Sequence, residues 1–261
     1  RSSDAEDRQG ITEIRHVEGY LAYWDALIAR HPGMLLDTCA SGGRRDDLET
    51  LRRSVPLHRS DYILEPTGVQ CHSYGISFWL PFSGAGAKDI SRYAFRSNMH
   101  PAIVANWDAR DRSLDYALLR KLVGEWREVS PGYYGDYYPL TPYTRDNATW
   151  IAWQFHDPDI NQGTVQAFRR AECNESTTTL KLCGLNPESH YEVTQFDVEG
   201  TATLSGNELM NTGLSVSLPD HPGAAIFTYR RVVVHPGLPE SLQTITETEL
   251  MDYSKHLASD A

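Results

Sequence analysis

The segment Met34-Leu35-Leu36-Asp37-Thr38-Cys39-Ala40-Ser41-Gly42-Gly43-Arg44-Arg45-Asp46 decides how the first half of the chain is read. Its short apolar run predicts a buried strand, which delivers Asp37 into a glycine-containing loop. Asp46 or Asp47 can cap a helix running to about Arg53. On the N-terminal side, Ile14, Val17, Leu21, Trp24 and Ile28 alternate spacings of three and four, one face of a helix, which His31-Pro32-Gly33 ends. On the C-terminal side three more apolar runs follow. Val55–His58 leads to Ser60-Asp61, Ile76–Phe82 ends at Ser83-Gly84, and Ala102–Ala105 reaches Asn106-Trp107-Asp108. A helix turn is expected near Cys71–Tyr74, and Leu114, Leu118, Leu122 and Trp126 mark a clear helix. Strands alternating with helices predict βα units and a parallel sheet.

Beyond about residue 140 the period changes. Leu214, Val216 and Leu218 alternate with serines, Leu180 and Leu182 flank Lys181, and Tyr191 and Val193 flank Glu192. Turn signals recur at Asn186-Pro187, Ser205-Gly206 and Pro222-Gly223, so short antiparallel strands packed as a sandwich are expected. The polar stretch around Pro139 and Pro142 marks the boundary. Residues 1–144 therefore form an α/β part, 145–235 an all-β sandwich domain and 236–261 a polar tail. Charge divides at the same place: 17 basic and 19 acidic residues precede position 141, against 7 and 16 after it. The net charge of −11 gives no basic face for nucleic acid, and no run of about 18 apolar residues predicts a membrane span. Four cysteines in 261 residues do not make a disulfide scaffold. The compartment stays open, with the cytoplasm favoured.

In βα architectures, reactive groups gather where the strands end, and here those ends carry Asp37, Asp61 and Asp108. Paired carboxylates across a cleft suit glycoside hydrolysis, one donating a proton and the other attacking or stabilising the anomeric carbon. The competing reading is that each acid caps a helix or ties a loop. Other chemistries lack their signatures. The chain has no CxxC, HExxH, nucleophile elbow or P-loop, and Gly84-Ala85-Gly86 lacks the third glycine of a dinucleotide fingerprint. No metal or cofactor is expected. Tyr133, Tyr134, Tyr137 and Tyr138 are read as packing a domain joint.

Leu36–Asp46, followed by Ser60-Asp61, resembles the second half of the barrel in glycoside hydrolase family 36, the melibiase type of α-galactosidase. Gln70–Gly75, Trp153-Gln154-Phe155-His156 and Ala167-Phe168-Arg169-Arg170 follow in fitting order, so the resemblance covers about residues 10–235. It implies the C-terminal half of a (β/α)8 TIM-type barrel followed by an antiparallel β-sandwich. It also implies a retaining enzyme that acts on terminal α-D-galactosyl residues, with Asp61 as general acid/base. Cys39, Gly42 and Gly43 would contact the region of the sugar's 2-hydroxyl. Arg45 would orient that loop or meet hydroxyls, and Asp37 would support the site without reacting.

Two departures bear on the substrate: His58 stands where the family often has Trp, and Arg44 replaces one glycine of a common run of three. α-N-Acetylgalactosaminidase and galactosyl transferase activities of the same family are the alternatives. A non-catalytic carbohydrate-binding role is another, with Trp150 and Trp153 as its candidate platform, although both are read rather as filling the domain interface. The family's nucleophile, an aspartate on an earlier barrel strand, has no counterpart in residues 1–13. The expectation is therefore a C-terminal fragment, inactive alone, of an enzyme whose incomplete barrel favours a homo-oligomeric partner. Its other partner would be an α-galactoside.

Overall fold

The computed structural model describes residues 3–62, 65–234 and 244–245. Its first helix, α1 (Ile11–Arg30), starts after the left-handed Gly10 and ends where His31 N–H donates to Leu27 O. Two short helical turns follow, α2 (Ala40–Gly43) and α3 (Leu48–Leu51), and Asp47 caps α3 by accepting from Thr50 N–H. Arg53 reaches back to Asp25 with two parallel hydrogen bonds of 2.7 and 2.9 Å, tying α3 to α1. The apolar stripe of α1 is not buried: Ile14 is 55% exposed and Val17 47%.

The expected strands survive in reduced form. Met34–Leu36 is extended but not the buried strand its composition predicts, and Leu35 is 86% exposed. One side of this segment pairs with the next, Thr38 N–H donating to Val55 O and Val55 N–H to Leu36 O. No described residue pairs with the other side, so Leu35 has nothing to pack against. The ladder continues through Gly84 N–H to Pro56 O into β1 (Gly84–Ala87), which pairs in parallel with β2 (Ala102–Ala105).

The strand expected at Ile76–Phe82 lies elsewhere. α4 (Pro66–Ile76) takes the first residue of that run, Trp79 and Leu80 N–H both donate to Ile76 O, and Phe78 and Trp79 stay exposed. The true strand is Gly-Ala-Gly-Ala at 84–87, which has no apolar alternation to detect. Gly84 is required there, because a Cβ would sit 1.7 Å from Leu57 O. α5 (Arg92–Ser97), capped by Ser91, and α6 (Tyr116–Val129), capped by Asp115, complete this part.

The rest is β-rich. β3 (Asp136–Pro139), β4 (Trp150–Asp157), β5 (Gln162–Arg169), β7 (His190–Gln195), β8 (Thr201–Ser205) and β10 (Gly223–Val234) form an antiparallel sheet in the order β3-β4-β5-β10-β7-β8, with β11 (Thr244–Ile245) beside β10. β6 (Thr177–Leu180) and β9 (Leu214–Ser217) make a separate pair. Alternation along each strand sorts the side chains into two cores. Ala152, Val165, Ala167, Phe227 and Tyr229 meet Leu180, Leu214 and Val216 of the small pair. Ile151, Trp153, Phe155, Phe168 and Ile226 meet Phe95 of α5, Leu122 of α6 and Tyr133. Apart from Thr244 and Ile245, the polar tail at 236–261 lies outside the described residues.

Buried arginines join the two parts. Arg96 is fully buried between Glu125, in a bidentate pair at 3.0 Å, and the carbonyl of Ala224. Arg170, also fully buried, donates from Nε to Gln70 Oε1 and from Nη1 to the carbonyls of Thr144 and Asp146.

Candidate active site

The loops after the first two extended segments meet. Gly42 and Gly43 both have φ of +83°, a region that costs any residue with a Cβ about 1–2 kcal/mol. Their backbone turns the Cys39–Gly43 loop onto the Ser60-Asp61 segment. A Cβ on Gly42 would lie 3.4 Å from both the N and Oδ2 of Asp61. On Gly43 it would lie 2.4 Å from Arg59 O and 2.8 Å from Asp46 Oδ2. Glycine is therefore needed at 43 for space as well as for conformation.

Asp61 Oδ1 stands 3.9 Å from Cys39 Sγ and 3.9 Å from His58 Nε2. Among the described residues Cys39 and His58 face its carboxylate, with the Gly42 backbone close by. The side chain is 64% exposed, so these residues wall only one side of it. Asp61, Cys39, Gly42 and Gly43 are thus brought together. Arg45 is not at the carboxylate: its guanidinium lies 5.0 Å over the ring of Tyr20, which pins the far end of the loop to α1.

The other two strand-end acids have structural partners. Asp37 Oδ1 accepts from Leu57 N–H at 3.0 Å, fixing the neighbouring segment's register. Asp108 closes a turn on Arg110 N–H and pairs with that residue's guanidinium.

Arg59, which the sequence did not single out, and Asp46, weighed there only as a possible helix cap, lie against the loop. Arg59 is 4% exposed and donates from Nη2 to Ser73 Oγ at 2.6 Å and to Val69 O, docking this segment on α4. Burial pulls its pKa down to about 10, against the opposing charge of Asp46. Burial also lifts the Asp46 carboxyl to about 6, with the Arg59 charge opposing and Asp47 adding. No sequence signal separates Asp46 from Asp47, because either could have been the cap. Trp150 and Trp153, weighed as a carbohydrate platform but read as filling the domain interface, are 9% and 1% exposed and belong to the two cores.

Within the antiparallel β domain, residues 150–229 match the family model for the glycosyl hydrolase family 36 C-terminal domain. The resemblance raised by the motifs at 36–46 and 60–61 holds, and the chain matches the C-terminal part of family 36 α-galactosidases. α-Galactosidase AgaA of Geobacillus stearothermophilus is 27% identical over 80% of this chain and 30% of its own length. A probable α-galactosidase C of Aspergillus terreus is 24% identical over 85% of this chain and 30% of its own. A solved structure of an AgaA variant in complex with raffinose superposes with a TM-score of 0.74 at 22% identity, covering 88% of this chain and 33% of that one. The α-galactosidase from Lactobacillus brevis gives 0.74 at 18% identity, over 92% and 34%. At these identities the structures establish the fold alone. The chain spans about a third of the length of the relatives it matches.

Proposed function

We propose that this chain is the acid-bearing C-terminal part of a retaining glycoside hydrolase that removes terminal α-D-galactosyl residues, with Asp61 as general acid/base. The observation that carries the proposal is the apposition of the Asp61 carboxylate to Cys39 and Gly42. That loop offers a thiol and close backbone approach to a sugar, beside a carboxyl group placed to give a proton to the leaving oxygen. Asp61 would protonate that oxygen as the bond to the anomeric carbon breaks, then take a proton from the water that releases the galactosyl group.

Retention needs a second carboxylate about 5–5.5 Å away. The proposal assigns it to the portion of the relatives' length that this chain does not span. The parallel ladder through Leu36, Val55, Gly84 and Ala102 supports a half-barrel for residues 1–144, and the uncovered stripe of α1 suits a face that packs against more protein. The proposal places the β-sandwich division at residues 145–235. Gly42, Gly43 and Cys39 would line the galactosyl pocket, with Arg45 holding their loop to Tyr20.

The test is turnover of raffinose and of an aryl α-galactoside by an enzyme carrying this chain, with and without Asp61→Asn. Loss of general acid/base catalysis should slow raffinose cleavage ~10²–10⁴-fold. Unchanged turnover would remove Asp61 from the mechanism. Product analysis with excess acceptor sugar separates hydrolysis from galactosyl transfer.

A further inference from the structure

A hollow of about 320 Å³ opens where the chain enters β1 and β2, between the turn that follows α4 and the β-rich part. None of Cys39, Gly42, Gly43 and Asp61 lines it. Its walls are mainly aromatic rings and prolines, and each ring braces the next. Phe78 stands edge-on to Tyr137 at 5.2 Å, Tyr137 leans on Phe155 at 5.2 Å, Phe155 meets Tyr133 edge-on at 4.9 Å, and Tyr133 stacks on His100 at 6.0 Å. Backbone carbonyls hold this chain of rings in place: Tyr137 Oη donates to Tyr74 O, and Trp126 Nε1 donates to His100 O. Phe78 and Trp79, 61% and 49% exposed, form the open side.

Two buried polar atoms in this wall are unspent. His100 and Tyr133 are each 2% exposed, and neither His100 Nε2 nor Tyr133 Oη has a hydrogen-bond partner among the described residues. Gln166 lies near the Tyr133 hydroxyl without completing a bond to it, since its own amide accepts from Trp153 Nε1 and is directed at Met99 O. Burial and the nearby Arg59 charge hold the His100 imidazole well below the usual histidine range, so the ring is neutral and can accept at Nε2. The other polar side chains of the wall are committed or outside. Ser77 Oγ donates to Ser73 O, and Asp136 sits at the exposed rim, accepting from Tyr138 Oη.

An aromatic slot with one or two convergent polar atoms is the usual build of a small-molecule site. The wall also selects the ligand. A sugar would bring several hydroxyls to a surface that answers only one or two of them, and the rest would be buried unpaired. A charged ligand would find no opposite charge inside the slot. A planar ring with a single hydroxyl meets both requirements: its faces pack against the fixed rings, while its hydroxyl can donate to His100 Nε2 and accept from Tyr133 Oη. A dry cavity of roughly 150 Å³ takes up a benzene ring, so a hollow of about 320 Å³ has room for such a ring with a small substituent. Because the rings are already fixed, little side-chain entropy is lost on binding.

We propose that this hollow is a binding site for a small neutral phenol, separate from the galactosyl site, with Phe78, Trp79, Tyr137 and Phe155 as its walls and His100 Nε2 as the acceptor of the phenolic proton. The proposal does not depend on the function assigned to Asp61. Phenol is titrated into the 261-residue chain, and the imidazole nitrogen resonances of His100 are followed. A saturable shift is expected, with a dissociation constant on the order of 1 mM for so small a ligand. Anisole, the same ring without a donor, should bind about tenfold more weakly, and galactose should leave His100 unmoved. Trp79→Ala, at an exposed position, should weaken phenol and anisole alike by about threefold or more and keep the ratio between them. His100→Phe should abolish that ratio. Should His100→Phe fail to fold, the ratio in the wild type and in Trp79→Ala still decides. A shift that grows linearly without saturating, equal binding of phenol and anisole, or a His100 shift with galactose would each overturn the site.

Discussion

Gly43→Ala probes the construction of the site most sharply. The added methyl meets two separate penalties. Holding a non-glycine residue at φ +83° costs about 1–2 kcal/mol. The Cβ would also stand 2.4 Å from Arg59 O and 2.8 Å from Asp46 Oδ2, and relieving such overpacking typically costs about 1–3 kcal/mol more. Arg59 cannot simply give way, because its buried guanidinium is tied to Ser73 and Val69. The expected loss is therefore about 2–5 kcal/mol.

Gly42→Ala carries the same backbone penalty, but its nearest contacts are at 3.4 Å, so about 1–2 kcal/mol is expected. Gly124→Ala has the opposite sign. It lies inside α6 with nothing within 4 Å, and alanine there should gain about 0.8–1 kcal/mol. Urea unfolding followed by tryptophan fluorescence should rank the midpoints Gly124→Ala, wild type, Gly42→Ala, Gly43→Ala. Gly43→Ala unfolding no earlier than Gly42→Ala would refute the close approach of this loop to Arg59, and with it the packing that sets Cys39 beside Asp61.

The Asp46 carboxyl, lifted to about 6, predicts a defined pH signature. An unfolded aspartate titrates near about 3.9, so between about pH 4 and 6 the native state holds the extra proton. This group's contribution to stability therefore falls as pH rises through that window and is level above it. The wild type minus Asp46→Asn difference in urea midpoint should decline across the same window; a flat difference would contradict burial of the group. Arg170→Met should cost about 3 kcal/mol by stranding Gln70 Oε1 and the Thr144 and Asp146 carbonyls. Amide exchange should then quicken in residues 141–149 while the centre of β4 stays protected, whereas uniform acceleration would mean that Arg170 supports the whole domain rather than this loop.

Much of the fold was legible because it rests on local pattern. The three-and-four spacing of α1, the spacing of four in α6 and the serine alternation around Val216 all give the elements observed. β1 was hidden because Gly-Ala-Gly-Ala carries no apolar period, and what makes it a strand is contact with Leu57, far away in sequence. The Ile76–Phe82 run misled for the converse reason: a capped helix starting at Pro66 outweighed its hydrophobicity. Within the site, the meeting of Cys39 and Gly42 with Asp61 was legible only as a pair of motifs, since neither segment alone indicates that the two touch. Arg59, Asp46 and Arg170 were not legible, because their roles come from burial and from partners up to 100 residues distant.

The most direct test of the central claim is the leaving-group dependence of Asp61→Asn in an active enzyme carrying this chain. If Asp61 gives its proton to the departing oxygen, substrates with basic leaving groups such as raffinose should slow ~10²–10⁴-fold, while aryl α-galactosides with acidic phenols should slow far less. Equal slowing across the series would show that the carboxyl at position 61 does not act as the proton donor.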